Sequence, residues 1–162
     1  MIDLVLPVYD FTLTYAQKLV ADVPDEQMCA QPVAGRVMNH PAFILGHLAW
    51  AEDGIAGLVG GKSALGADWK ALFAMGETPQ ADRPRYPSKD ALLKALEGAH
   101  ARLVAAASAA TPEALAQPAP ERMRGRFPTV GNMLTGLMTA HASMHLGQLS
   151  AWRRAMGFPS VF

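Results

Sequence analysis

Two histidines four residues apart, His141 and His145, lie in a segment whose apolar positions repeat with helical spacing. That interval puts both imidazoles on one side of a helix, about 5–6 Å apart at their Cβ atoms. The stripe that contains them runs Val130, Leu134, Met138, His141, His145, Gln148 and Trp152, so both are expected to face inward. An imidazole on an apolar face is costly unless it is hydrogen-bonded or ligates a metal. His47 has an equivalent inward position between Phe43 and Trp50. Three imidazoles converging inside a helical bundle would make a nitrogen site for a divalent cation. Neutral imidazole suits zinc, nickel, copper and iron, and three protein ligands leave a position open for water or substrate. With no acidic ligand the site keeps the ion's positive charge, which favours an anionic exchangeable ligand such as hydroxide or thiolate. The alternative is a set of core or capping histidines bonded to backbone or carboxylates.

The elements that must position these residues are helices. The first pattern runs from about Asp3 to Asp22, with Leu4, Val8, Phe11, Tyr15 and Leu19 as its apolar stripe and Pro7 near its start. The second opens at Asn39-His40-Pro41, with Asn39 as the expected N-cap, and stops at Gly60-Gly61. A short helix over Ala67 to Met75 precedes a proline-rich loop that ends at Pro87. The third long helix starts with Ser88 as N-cap and fades near Thr111-Pro112. The fourth is expected to run from Thr129, its N-cap, to Gly157. Alternation of period two is absent, so the expected fold is an all-α four-helix bundle forming one domain over residues 1–162.

Composition narrows the function classes. The 162 residues carry 14 basic and 14 acidic side chains, and a pI near 7 offers no basic excess for nucleic acid. One cysteine excludes a disulfide framework and a cysteine-rich zinc module. Apolar runs are interrupted well short of the ~18–20 residues that span a membrane. The N-terminal residues lack a basic region before an apolar one, so no secretory leader is expected and the expected location is cytoplasmic.

The run His141-Ala142-Ser143-Met144-His145-Leu146-Gly147-Gln148, followed by Leu149, Arg153-Arg154 and Gly157, resembles the last helix of the DinB/YfiT-like superfamily. Asn39-His40-Pro41-Ala42-Phe43-Ile44-Leu45-Gly46-His47-Leu48-Ala49-Trp50 resembles its second helix, and Tyr86-Pro87-Ser88-Lys89 the start of its third. The resemblance covers the whole chain. It implies a four-helix bundle with an unusual helix order and a long crossover connection. It implies a divalent metal, zinc or nickel, held by His47, His141 and His145. It also implies a homodimer and, for several relatives, S-transfer with a low-molecular-weight thiol such as bacillithiol, mycothiol or glutathione.

Other residues are weighed beside these. Phe43, Trp50 and Met138 are expected to line the pocket for a small-molecule substrate, or simply to form core. Gln148 is a candidate to hydrogen-bond a ligand histidine, or to make an interhelical polar contact. Arg126, with Arg122 and Arg124, could hold a carboxylate or phosphate of the substrate; the alternative is a solvated loop. His40 is expected to cap or lie at the surface, with reach to the histidine site as the alternative, and His100 to be a boundary histidine, with a fourth metal ligand as the alternative. Glu52 and Asp53 are expected to form a solvated acidic patch, with a general base as the alternative. Cys29 is expected to be inert.

Overall fold

Helix boundaries follow from proline and from side chains that accept main-chain N–H groups. In the computed structural model, which describes residues 2–161, the long helices are α1 (Ile2–Val20), α2 (Pro41–Leu58) and α4 (Lys89–Ala109). Short helices α3 (Ala67–Phe73) and α5 (Pro112–Ala116) lie in the connections. The C-terminal rod is composite: α6 (Val130–Gly136), a π-helical segment (Leu137–His141) and α7 (Ala142–Ala155). Among the described residues there is no strand beyond an isolated bridge between Pro118 and Thr129, so the chain is all-α as expected. No helix among them is long and apolar enough to cross a membrane.

Ser88 and Thr129 cap their helices as expected, accepting from the N–H groups of Ala91 and Asn132 at 3.2 Å each. The N-cap of α2 is not Asn39 but His40, whose Nδ1 accepts from the Phe43 N–H at 3.2 Å. The reason is Pro41. It occupies the first helical position, so the residue directly before it is the cap, and Asn39 is left outside the helix. α2 stops where Gly60 takes φ +93° and the Gly61 N–H closes on the Ala56 carbonyl at 2.8 Å.

The expected uninterrupted fourth helix is corrected by the π segment. A residue inserted into the i→i−4 ladder rotates everything after it relative to what precedes it. The stripe read from Val130 to Trp152 is therefore split between two cores. Leu146, Leu149 and Trp152 pack with Leu19, Ile44, Leu45 and Leu96, while Val130, Leu134 and Met138 pack with Tyr9, Ala56 and Leu103.

The face of α1 also differs from the expected one. The buried side chains are Tyr9, Thr12, Ala16, Leu19 and Val20, whereas Leu4, Val8 and Phe11 stay 82%, 49% and 53% exposed. Both stripes are apolar. The inward stripe includes the small residues Thr12 and Ala16 beside Tyr9, Leu19 and Val20.

α2 packs against α4 and α7, and α1 packs against the same two helices. The helices consecutive in the chain, α1 and α2, therefore sit diagonally, and so do α4 and α7. A buried arginine locks α7 to the end of α1. Arg153 donates to the Leu19 carbonyl, to both oxygens of Asp22 and to the Pro159 carbonyl, and lies over the Phe158 ring. This adjacency of α2 and α7 brings His47 to the histidines of the C-terminal rod.

Candidate metal centre

His47 lies on α2, His141 is the last residue of the π segment, and His145 follows one turn later on α7. Ring centroids are 4.6 Å apart for His141 and His145, 4.7 Å for His47 and His145, and 5.2 Å for His47 and His141. One nitrogen of each ring lies within 4.8 Å of the others, and the Nε2 atoms of His47 and His141 are 3.2 Å apart. Tetrahedral coordination with bonds of ~2.0–2.1 Å puts ligand nitrogens about 3.3 Å apart, so a small closure of the three rings suffices. The π segment matters here. It ends on His141 and so sets the phase with which the last helix presents both of its histidines to α2.

The electrostatics favour the ligand form of each imidazole. His47 and His145 are almost fully buried, and His141 is half-buried. Burial pushes the His141 imidazole down to about 3, assisted by His145, His47 and the guanidinium of Arg126. Burial, with His47 beside it, pushes His145 down to about 4, opposed by its bond to Gln148. Burial also lowers His47, opposed by its bond to Phe73. Neutral rings offer a lone pair where protonated rings would repel a cation. The outer nitrogens of His47 and His145 are held, the arrangement common at metal-ligating histidines, whereas that of His141 has no partner among the described residues. His47 Nδ1 donates to the Phe73 carbonyl at 2.8 Å, and His145 Nδ1 lies 3.0 Å from Gln148 Oε1. Phe43 stacks on His47 at 5.9 Å between centroids.

The other expected residues are distributed as follows. Trp50 is half-buried against the first core. Met138 is fully buried in the second core. Gln148 is exposed at the rim rather than on the inward seam, yet still reaches His145. Arg126 is exposed, and its charge is felt at His141. His40 is buried and committed, Nδ1 to the helix cap and Nε2 to the Gln80 carbonyl at 2.9 Å. His100 bonds Asp10 at 2.8 Å and stacks on Tyr9. Cys29 is buried, and its thiol is pushed up to about 11 by desolvation.

Glu52 and Asp53 form no solvated patch, since both are buried. Asp53 accepts from the N–H groups of Ala64 and Leu65 and pairs with Arg102, a structural role. Glu52 faces Tyr9, and neither its Oε2 nor the Tyr9 hydroxyl completes a hydrogen bond among the described residues.

Sequence reasoning missed Phe73 and Asn39 as parts of the site. Phe73 acts through its carbonyl, which carries no side-chain signature. Asn39 donates to Gln148 Oε1 at 2.9 Å, freed for that contact because His40 took the capping position.

A sequence profile of the DinB superfamily matches residues 9–149, a span that includes all three histidines. Searches of curated proteins and of solved structures return no significant match.

Proposed function

Starting from a chain that belongs to the DinB superfamily, we propose that it is a divalent-metal-dependent enzyme. Its metal would be zinc or nickel on His47, His141 and His145, within a four-helix bundle whose connections include a long crossover. The observation that carries this reading is the convergence of three buried or half-buried neutral imidazoles with no carboxylate among them. The reaction class is activation of a low-molecular-weight thiol, or of water, for attack on an electrophilic small molecule.

A bound divalent ion would supply Lewis acidity that brings a thiol or water proton into the neutral range of pKa. The chain's own residues supply the rest. Phe73 holds the His47 ring by its carbonyl, and Phe43 covers one face of that ring against water. Arg126 makes no ion pair among the described residues and lies near His141, so it is placed to orient a carboxylate or phosphate on the substrate.

Elemental analysis tests the metal assignment. One ion per chain is expected for the wild type, with loss in His47→Ala, His141→Ala and His145→Ala. Undiminished metal in all three would overturn it. Thiol conjugation assayed across several thiols and electrophiles, with and without chelator, tests the activity.

A second reading has a specific support. The ligands come from α2 and the C-terminal rod, so an ion there would staple two remote segments. The protein would then be a metal-stabilised binding module, and metal-dependent stability without turnover would favour it. The resemblance also supports a homodimer. α1 exposes Leu4, Val8 and Phe11, and Leu4→Glu should shift the sedimentation coefficient to that of a monomer if this face is used.

A further inference from the structure

The three imidazoles are held by partners of different kinds. His47 Nδ1 meets the Phe73 carbonyl, which can only accept. Its proton is therefore fixed on Nδ1, and its Nε2 lone pair points to His141 Nε2 at 3.2 Å. His141 Nδ1 has no hydrogen-bond partner among the described residues. His145 Nδ1 meets Gln148, a primary amide that presents an acceptor at one end and a donor at the other.

That amide has two self-consistent arrangements. In the observed one, Gln148 Oε1 accepts from His145 Nδ1 and from Asn39 Nδ2, at 3.0 Å and 2.9 Å. This puts the His145 proton on Nδ1 and leaves Nε2 free. In the other, both amides are turned over. Gln148 Nε2 then donates to His145 Nδ1 and to Asn39 Oδ1, and the His145 proton moves to Nε2, where it blocks coordination. Gln148 alone does not choose between them. It is exposed, beside a surface cleft of about 310 Å³ that it lines with Asn39, Val37, Met38 and Ala151, so its outer edge is open to solvent in either orientation. Asn39 makes the choice cooperative. If Gln148 turned alone, its NH2 would face the NH2 of Asn39 and the N–H of His145, and two hydrogen bonds would be lost.

We propose that Asn39 and Gln148 are paired positioning residues that select the His145 tautomer whose Nε2 is free to ligate. Asn39 thereby ties the residues just before α2 to a ligand on α7. The proposal rests on the metal-centre reading above, and its test includes a readout that does not.

Two isosteric amide-to-acid changes separate this from a general charge effect. Gln148→Glu offers only acceptors to His145 Nδ1 and Asn39 Nδ2, so it preserves the observed tautomer. Asn39→Asp offers only acceptors to Gln148, which must turn its NH2 toward position 39 and hence toward His145 Nδ1. Each change adds one negative charge near the site, so charge alone would move zinc affinity the same way in both. The expected result, by competition with a chelator, is a loss of about 10–100-fold in Asn39→Asp. Gln148→Glu should stay within about threefold of wild type or bind tighter.

Imidazole 15N chemical shifts of the metal-free protein give the independent readout. His145 should carry its proton on Nδ1 in the wild type and in Gln148→Glu, and on Nε2 in Asn39→Asp. Zinc affinities that fall by a similar factor in both variants, or a wild-type His145 protonated on Nε2, would overturn the proposal. A wild type that takes up no zinc sinks the metal reading instead, and the 15N shifts still decide the tautomer.

Discussion

Gly46 and Phe73 are packed so closely that a β-carbon at position 46 would overlap the Phe73 ring. Gly46 precedes His47, a proposed metal ligand, and the Phe73 carbonyl fixes the ring of that histidine. Gly46→Ala should therefore do two things. Displacing a fully buried aromatic ring should lower stability by roughly 1–3 kcal/mol, the usual cost of overpacking. Moving the Phe73 main chain should also weaken zinc affinity. Gly54, on the same helix, has open space where its β-carbon would lie. Gly54→Ala should gain about 0.5–1 kcal/mol from helix propensity and leave zinc affinity alone. Urea denaturation and chelator competition on the pair measure both effects, and equal behaviour of the two variants would refute the link.

Metal removal should soften the whole fold. The proposed ligands join α2 to the C-terminal rod, so an ion that binds only the folded chain would stabilise it by mass action, about 2.7 kcal/mol at a hundredfold excess over Kd. The wild-type melting temperature should fall when a chelator replaces zinc. In His47→Ala the melting temperature should not respond to either reagent.

How much of this was legible in the chain depends on what carries the signal. The interval between His141 and His145 is a side-chain pattern, and the helical period of their neighbours placed them on one face. His47 was legible for the same reason. The π segment was not, because Leu137, Met138, Thr139 and Ala140 read as ordinary helix, although α1 packs against the segment. That one insertion turned Leu146, Leu149 and Trp152 to the first core, away from the second core that holds Val130, Leu134 and Met138. The wrong face of α1 has a different origin: two apolar stripes competed, and the period of one helix does not say which of them meets its partners. Glu52 was misread as solvated because burial of a charged type has no local signature.

Arg126 should matter to substrate and not to metal. Its side chain is exposed and makes no ion pair among the described residues, and its charge reaches His141 without its being a ligand. Arg126→Ala should leave the metal content at one ion per chain while raising KM for an anionic substrate about threefold to tenfold, the range of a charge-assisted contact near solvent. A neutral substrate should show no change. Loss of metal in this variant would place Arg126 in the fold rather than in binding.

Glu52 should leave a signature in the pH dependence of stability. Burial pushes its carboxyl up to about 8 from an ordinary 4.5, with Tyr9 beside it offering only partial relief. Between those values the folded chain holds a proton that the unfolded chain releases, so stability falls as pH rises through the window. Below about pH 4.5 the group has no effect, and above about 8 the full penalty applies. Each unit of displacement is worth about 1.4 kcal/mol, which makes the penalty a few kcal/mol. His40 works with the opposite sign. Burial lowers it to about 4, so its contribution is present above 6.5 and is lost as pH falls toward 4. His47, His141 and His145, also lowered by burial, add to the same side, so wild-type melts mix several groups, and the difference between Glu52→Gln and wild type isolates the carboxyl. That difference should be near zero at pH 4.5, grow in favour of the variant through neutrality, and level off above pH 8. A difference that is flat from pH 4.5 to 9 would mean that Glu52 ionises in the folded chain as it does in water.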